Sequence, residues 1–153
     1  MSHGRKQVRD AIKDILSAGT GWKAVLATRV VPNRQIWDYL LVYCDGEPQT
    51  VATVHNPTVY DRNLSVIIAA MIKIDVNKEE FEDRIDSVSA EIETLLTNTS
   101  LRAELPGKNL IISLTGSSFT VVVDDEDNID HAEVVMTWNV NYMTSEGAPE
   151  TLL

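Results

Sequence analysis

The residues best suited to chemistry in this 153-residue chain are three histidines and a glycine-rich turn. His3, His55 and His131 have no cysteine or second histidine nearby at the spacing of a zinc site. Residues 19–21 (G-T-G) precede Lys23, but the G-x-x-x-x-G-K-[ST] spacing of a phosphate-binding loop is missing, which favours a simple turn. The composition permits a Ser/His/Asp triad, yet no G-x-S-x-G motif is present. We therefore expect no enzymatic activity.

An acidic segment, D-D-E-D-N-I-D at residues 124–130, is the other concentration of reactive groups. Its first four carboxylates could hold Ca²⁺ or Mg²⁺, which prefer oxygen ligands. The EF-hand pattern fails, because the sixth position is not glycine and no terminal glutamate is in register. A solvated loop is the favoured interpretation, and an electrostatic contact with the basic N-terminal region of a neighbouring copy is a third. We expect no cofactor, with a divalent cation at this segment as the alternative.

Charge is unevenly distributed along the chain, whose net charge is −10. The acidic majority argues against general or sequence-specific nucleic-acid binding, because phosphate contacts need a basic surface. The first 34 residues nevertheless carry a local charge of +5, and the remainder carries −15. Basic and acidic regions on one molecule suit a head-to-tail self-contact, although solvated charge without a partner explains the pattern equally well. The basic residues of the first region are Arg5, Lys6, Arg9, Lys13, Lys23, Arg29 and Arg34.

The length and composition predict one globular domain over residues 1–143, followed by a flexible tail over residues 144–153. A single cysteine, Cys44, excludes an internal disulfide and is compatible with a reducing compartment. The polar N-terminus resembles no secretory signal. The longest apolar run, residues 66–72, is too short to span a bilayer, so we expect no membrane partner.

A long strand over residues 63–75 is the element around which the chain is organised. Its even-numbered positions from 64 to 74 are all apolar, which predicts a face buried in the core. The opposite face is mixed, with Ile67 and Met71 beside Ser65 and Lys73. That face is too apolar for solvent and too mixed for a core, so we expect it to contact another subunit.

Two amphipathic helices are predicted to cover the apolar face of the sheet. The first spans residues 4–17 and ends at a pair of glycines. The second spans residues 78–97, with Asn77 as N-cap, acidic residues in its first turns and an apolar stripe at helical spacing. This stripe is shorter than three heptads, which favours core packing over a coiled coil.

The remaining segments predict further strands and their connections. An irregular strand is expected over residues 22–31 and a regular one over residues 34–45. Asp45-Gly46 then predicts a turn into a short returning strand, and residues 45–62 together predict an exposed hairpin or flap.

The second half of the chain adds strands around one loop and one turn. Residues 98–108 predict a loop, and residues 109–115 and 119–123 predict strands joined by a turn at Gly116. Residues 131–143 alternate most regularly and should pair with the strand at residues 63–75. The predicted fold class is α+β, a mixed or antiparallel β-sheet of about four to six strands with two helices on one face, plus an extended β-hairpin or flap.

The order of these elements resembles a known family. A short helix precedes the strand W-D-Y-L-L-V-Y and a polar flap, which leads to the long strand L-S-V-I-I-A-A-M-I-K-I. An amphipathic helix near E-D-R-I, the acidic D-D-E-D and the final strand A-E-V-V-M-T-W-N-V-N-Y follow. Over residues 6–143 this order is similar to that of the tail terminator proteins of long-tailed bacteriophages, the minor tail protein U-like family.

The resemblance implies a structural virion protein that is not an enzyme. Such proteins form a hexameric ring that caps the completed tail tube, terminates its polymerisation and presents the head–tail joining surface. The implied partners are other copies of the chain, the tail tube protein and the head–tail connector. The implied location is the head–tail junction of a virion assembled in the host cytoplasm. A head-completion or connector-stopper protein of the same junction is the alternative, and a small-molecule-binding module is a distant third.

The residues expected at a subunit or partner interface come from the basic region, the flap, the mixed strand face and the acidic segment. Trp22 joins them as an aromatic anchor that follows two glycines. The full set is Arg5, Arg9, Lys13, Trp22, Arg29, Arg34, Arg62, Ile67, Met71, Asp124, Asp125, Glu126 and Asp127.

Overall fold

A computed structural model describes residues 3–19, 21–22, 24–29, 38–74, 81–122 and 131–153. Within these ranges the helices are α1 (Gly4–Ser17), α2 (Phe81–Leu95) and α3 (Asn98–Glu104). The strands are β1 (Ala24–Leu26), β2 (Tyr39–Gly46), β3 (Gln49–Thr53), β4 (Val59–Lys73), β5 (Ile111–Val122), β6 (His131–Ser145) and β7 (Ala148–Leu152).

The described strands form one seven-stranded sheet, with the spatial order β1-β2-β4-β6-β5. β3 pairs with β4 and β7 pairs with β6 outside this path. β1 is parallel to β2, and the other pairings are antiparallel. The α+β class with a mixed sheet is therefore confirmed. The described chain has helix α3 and strand β7 where the sequence predicted a loop and a flexible tail, and its sheet has seven strands where about four to six were predicted.

The central pair is β4 with β6, which run antiparallel in unbroken register from Val59 opposite Ser145 to Lys73 opposite His131. This confirms the predicted pairing of the two most regular strands. Each of these strands contributes one face to the main core, because side chains alternate between the two sides of a strand. The core face of β4 consists of Leu64, Val66, Ile68, Ala70 and Ile72, all of which are fully buried.

The helices cover this core face, as predicted. α1 has the predicted bounds, and its apolar side, with Val8, Ile12 and Leu16, is fully buried. α2 buries Ile85, Val88 and Ile92 from the predicted stripe. The proposed cap at Asn77 lies outside the described residues.

The opposite face of β4 is more buried than its sequence indicated. Ile67 and Met71 are only 7% and 9% exposed, and Ala69 is also buried. Met71 and Ala69 form a second apolar cluster with Tyr39 and Leu41 from β2. The interpretation of this face as too mixed for a core is therefore wrong for these residues, because Tyr39 and Leu41 of the adjacent strand pack beside Ala69 and Met71, which the sequence of β4 alone does not reveal.

The turn predicted at Asp45-Gly46 is not a reversal. β3 continues in the direction of β2 along the same side of β4, with Cys44 opposite Val66 and Gln49 opposite Arg62. The chain reverses only after Thr53, so β2, β3 and β4 form one long hairpin. We call residues 49–58 the hairpin tip. The predicted flap is confirmed as an exposed hairpin, but its turn lies about ten residues later than Asp45-Gly46.

The predicted turn at Gly116 and the predicted loop at residues 98–108 are also wrong. The turn at Gly116 is absent, because β5 runs through it with a register shift between Leu114 and Gly116. An irregularity of this kind in an edge strand absorbs an extra residue without ending the strand. Part of the loop at residues 98–108 is helix α3, whose N-terminus has a capping box formed by Thr97 and Ser100.

The prediction of a flexible tail over residues 144–153 is wrong as well, because residues 148–152 form strand β7. β7 pairs with the end of β6, and Leu152 is buried in the main core. The strand packs closely against α1 at Gly4. A Cβ atom there would lie 2.9 Å from Leu152 Cδ2 and 3.1 Å from Pro149 O. The start of α1 thus rests directly on β7.

Candidate functional site

A basic cleft lies where the first half of α1 passes the end of β2. It has a volume of about 680 Å³. The apolar side of α1 is fixed in the core, so the residues between its apolar positions, Arg5, Lys6 and Arg9, line the cleft. Residues 27–29 and 43–47 form the other walls. The cleft therefore brings together Arg5, Arg9 and Arg29, three of the predicted interface residues.

Arg29 is held against β2 by two contacts. Its guanidinium donates a hydrogen bond to the carbonyl oxygen of Cys44, and its Cζ lies 5.5 Å from the centroid of the Tyr43 ring. A guanidinium over an aromatic face is a favourable cation–π arrangement. Burial raises the pKa of the Cys44 thiol, which keeps that group neutral and unreactive. The cleft therefore presents fixed positive charge rather than a nucleophile.

The charges along α1 are only partly neutralised. Lys6 Nζ lies 2.5 Å from Asp10 Oδ2, and Arg9 Nη2 lies 3.4 Å from Asp10 Oδ1. Partial burial works to raise the pKa of Asp10, but the hydrogen bond and charge of Lys6, with those of Arg9, lower it overall. Arg5 is exposed and has no ion pair within the described residues. Arg5 and Arg29 thus leave net positive charge at this edge of the molecule.

A buried polar network lies beside the cleft and joins the base of the hairpin tip to β6. Glu47 accepts hydrogen bonds from the Tyr142 hydroxyl and, at 2.8 Å, from Arg62 Nη1. Arg62 Nε also donates to Thr144 Oγ1 at 2.7 Å. The side chains of Glu47 and Arg62 are only 8% and 12% exposed, so water screens this ion pair little.

This network changes the role assigned to Arg62, which was predicted to contact a partner. Its guanidinium is occupied by Glu47 and Thr144, so the residue is committed to internal structure. Burial and the hydrogen bond to Glu47 raise the pKa of Tyr142 well above its ordinary value, which keeps its hydroxyl a donor. The network ties Glu47 and Arg62, at the base of the hairpin tip, to β6.

The hairpin tip is the most exposed part of the described chain that is not helical. Every residue of β3 is exposed, and Val54 is 89% exposed. Residues 49–54 contain no charged side chain, although the chain as a whole is strongly acidic. The tip is tied to the β6–β7 turn through Glu146 N, which donates to Thr58 O at 2.7 Å. An exposed, uncharged tip that presents the apolar side chains Val51 and Val54 is suited to contact with another protein.

The other predicted interface residues differ in their burial and position in the structure. Trp22 is partly buried against the core beside Val88, and its indole Nε1 is buried without a hydrogen bond within the described residues. Lys13 is half-buried on α1. Ile67 and Met71 leave little surface for a partner, as described above. Arg34 and the acidic segment, with Asp124, Asp125, Glu126 and Asp127, lie outside the described residues.

The histidines are not brought together into one site. His3 is the N-cap of α1, where its Nδ1 accepts a hydrogen bond from Arg5 N at 3.2 Å. His55 lies exposed in the hairpin tip, and His131 begins β6 with its Nε2 3.6 Å from Glu133 Oε1. Across the described ranges no three metal-binding side chains cluster. None of the helices in those ranges is long and apolar enough to cross a membrane.

One surface was missed by reasoning from sequence. β5 contains no charged residue and no proline over its twelve residues, and Ile111, Phe119 and Val121 are exposed large apolar side chains on it. Within the described residues β5 pairs only with β6, so it is an edge strand. The absence of charge from residue 109 to residue 123 is a visible signal, but the predicted turn at Gly116 divided the strand and concealed it.

Comparisons with protein families, curated proteins and solved structures give the following findings. No protein-family model matches the sequence, and no curated protein matches it. Among solved structures, the chain is similar to a chain in the virion of a native gene transfer agent (GTA) particle, with 12% sequence identity and a TM-score of 0.47. The similarity covers 87% of this chain and 93% of that chain.

Proposed function

We propose that this chain is a structural virion protein that caps the completed tail tube of a long-tailed phage-like particle as a ring. In this proposal the ring, a hexamer, terminates tube polymerisation and forms the surface that joins the tail to the head connector. The protein acts by contact rather than by catalysis, and it needs no cofactor. Its partners are other copies of itself, the tail tube protein and the connector protein. It joins them at the head–tail junction during assembly in the host cytoplasm.

The observation that carries this proposal is the hairpin tip. Every residue of β3 is exposed, and no residue from 49 to 54 is charged. The buried network of Glu47, Arg62 and Tyr142 gives the tip a fixed base. The exposed apolar side chains Val51 and Val54 on this uncharged tip favour a partner that covers them.

The order of elements supports the choice of partner. The structure contains the elements whose order carries the resemblance to tail terminators: the short N-terminal helix, the hairpin that includes the flap, the long central strand, the amphipathic helix and the long final strand. Basic groups are concentrated at the α1 edge, whereas the rest of the chain is acidic, which suits repeated head-to-tail contacts.

Electron microscopy of particles assembled without this protein tests the proposal. A tail terminator predicts overlong tails, because nothing stops polymerisation of the tube. Tails of normal length that stay unattached to normal heads would instead indicate a head-completion or connector-stopper protein. Normal, fully joined particles would contradict both roles.

A matched pair of variants tests the part played by the hairpin tip. Complementation with Val54→Lys should fail to restore tail length, because a charge is placed on a side chain that is 89% exposed at the tip. Complementation with Ser17→Lys, an exposed position on α1 far from the tip, should restore it. Both variants should remain folded by circular dichroism.

A further inference from the structure

We propose that the basic cleft of one copy binds the acidic segment of a neighbouring copy, D-D-E-D-N-I-D at residues 124–130. This inference deepens the proposed function, since it rests on a ring of identical chains and names one contact between adjacent subunits. The segment itself lies outside the described residues. Three observations carry the inference: the charge of the cleft, the charge of the segment, and the distance that separates the two within one chain.

The first observation is an excess of positive charge in the cleft. Its walls carry four basic side chains and two acidic ones, Asp45 and Glu47. Two further charges contact this set from outside the walls: Arg62 pairs with Glu47, and Asp10 is shared by two of the bases. The whole group therefore has a local charge of +2 on a chain whose net charge is −10. The four bases of the walls are Arg5, Lys6, Arg9 and Arg29.

The arginines of the cleft also keep hydrogen-bond donors for an acceptor from outside, because a guanidinium has five N–H groups. Arg9 Nη2 makes only a 3.4 Å contact with Asp10, and Arg9 Nε is buried without a hydrogen bond within the described residues. Arg29 donates to the carbonyl oxygen of Cys44, and Arg5 is exposed. Burial raises the pKa of the Cys44 thiol, and the charges of these three arginines oppose that shift, so all three act at one point. Carboxylates are the matching acceptors, because their hydrogen bonds with guanidinium groups are charge-assisted.

The second observation is that the acidic segment supplies such acceptors close together. It has four carboxylates in succession at residues 124–127 and a fifth at residue 130, with no base among them. Adjacent like charges repel one another, and cations in a concave site relieve that repulsion. A nucleic acid also offers negative charge, but the acidic remainder of the chain repels a long phosphate backbone. The charge of the cleft therefore favours a short, carboxylate-rich peptide.

The third observation is that the cleft and the segment lie at opposite ends of the sheet. The segment connects Val122 to His131, which pair with each other, and His131 also pairs with Lys73 of β4. The cleft lies at the far end of β2, where Gly46 is opposite Ser65 of β4. β4 runs for eight residues from Ser65 to Lys73, which is about 27 Å at roughly 3.4 Å per residue. β2 also lies two strands away from β6, about 10 Å to the side.

The segment is too short to cross this distance to the cleft of its own chain. Residues 123–130 begin and end at two residues that lie side by side, so they can extend from the sheet by no more than half their extended length, about 16 Å. A contact between the segment and the cleft is therefore a contact between copies. Because each copy offers different surfaces at its two ends, the contact is head-to-tail, which is the kind that closes into a ring.

NMR titration of the full chain with a synthetic peptide of residues 123–131 tests the site directly. Backbone amide shifts should be confined to the residues that line the cleft, 3–9, 27–29 and 43–47, and they should diminish as salt is added. A control peptide with asparagine and glutamine in place of the five acids should cause no shifts. Absence of shifts with the acidic peptide, or shifts confined to another surface, would overturn the inference.

Reversal of single charges in the cleft provides a second measurement. Arg5→Glu and Arg29→Glu should each weaken peptide binding by about tenfold, because attraction is replaced by repulsion. An acid in the first turn of a helix is favoured by the helix dipole, so Arg5→Glu should leave α1 folded by circular dichroism. Arg102→Glu, an equal reversal at an exposed position on α3 outside the cleft, is the matched control. An equal loss of binding with Arg102→Glu would show an effect of net charge alone and would contradict the site.

Exchange of charges between the two surfaces tests the contact between copies. Asp125→Lys and Arg5→Glu should each weaken self-association in sedimentation velocity, because like charges then face one another. A chain that carries both substitutions should recover association, because the exchanged charges attract again. Failure of the double variant to recover would overturn the pairing of cleft and segment.

The remaining outcomes separate this contact from the proposed function and from another ligand. Overlong tails in particles that lack the protein, together with full complementation by Arg5→Glu, would leave the proposed function standing and refute this contact alone. Peptide binding at the cleft, together with normal particles in the absence of the protein, would refute the proposed function and leave the site standing. Shifts caused by a short DNA duplex but not by the peptide would identify a nucleic-acid site and overturn the inference.

Discussion

Removal of the Tyr142 hydroxyl should measurably destabilise the fold, because that group satisfies a buried carboxylate. In the Tyr142→Phe variant, Glu47 keeps its contact with Arg62 but loses a donor that is fully buried in the core. Hydrogen bonds to charged groups contribute about 1.5–3 kcal/mol, and a buried acceptor left unpaired loses at least that much. At this chain length, the loss corresponds to a fall in Tm of roughly 4–10 °C.

The same variant should change how stability depends on pH. Folding raises the pKa of Tyr142 above its ordinary value of 10.0, so the neutral hydroxyl is favoured in the folded state. The stabilisation is therefore fully present below about pH 10 and is lost as the pH rises beyond it. Tyr142→Phe should flatten this alkaline loss. Burial and the charge of Glu133 also raise the pKa of Tyr39, so the part of the alkaline loss that belongs to Tyr39 should remain in Tyr142→Phe.

Urea denaturation at pH 7 and at alkaline pH measures both effects. A double-mutant cycle with Glu47→Gln isolates the pair, and the two substitutions should be clearly non-additive because the residues are in contact. A loss below about 0.5 kcal/mol for Tyr142→Phe, the usual range of a surface change, would refute the account of the network. An unchanged alkaline slope would refute the assignment of the proton to Tyr142.

Three further substitutions test the packing of the fold. Gly4→Ala should cost about 1–3 kcal/mol in thermal unfolding, because its Cβ would lie 2.9 Å from Leu152 Cδ2 and 3.1 Å from a backbone oxygen; unchanged stability would show that β7 is not held against α1. Thr97→Ala should lower the free energy of unfolding by about 1 kcal/mol, because it removes the α3 cap. Thr94→Ala, one turn earlier on α2, is the control. Equal effects of the two substitutions would contradict the capping box. Ile67→Lys should unfold or strongly destabilise the chain, since Ile67 is 7% exposed; a folded variant that only fails to assemble would restore the subunit contact first inferred from the sequence.

The sequence was most informative where one periodic signal filled a whole element. The alternation in β6 and on the core face of β4 predicted both strands and their pairing, because a strand buried on one side must alternate. Likewise, α1 was predicted to the residue by its apolar spacing and terminal glycines. These elements contain enough local information to define themselves.

The failures arose where a local signal was overridden by a distant partner. Asp45-Gly46 resembles a turn, but pairing with β4 carries the chain straight on to β3. Gly116 resembles a turn as well, but the long ladder with β6 absorbs it as an irregularity. The polar residues at the C-terminus form β7 because β6 and α1 offer them an edge and a surface.

At the candidate site, too, the sequence predicted some residues correctly and missed the partners of others. Clustering of Arg5, Arg9 and Arg29 follows from their common position in a basic N-terminal region, and the structure brings them to one cleft. The burial of Arg62 could not be foreseen, because its partners Glu47 and Thr144 meet it only across the sheet. Charge patterns in sequence identify a basic region, but only tertiary structure separates a paired arginine from a free one.

The most direct test of the account is the mass and position of the protein bound to isolated tail tubes, measured by mass spectrometry of the complex and electron microscopy. The account predicts a ring at one end of each tube, with a bound mass of six times 17.0 kDa. Single copies distributed along the tube, or no binding to either end, would contradict it.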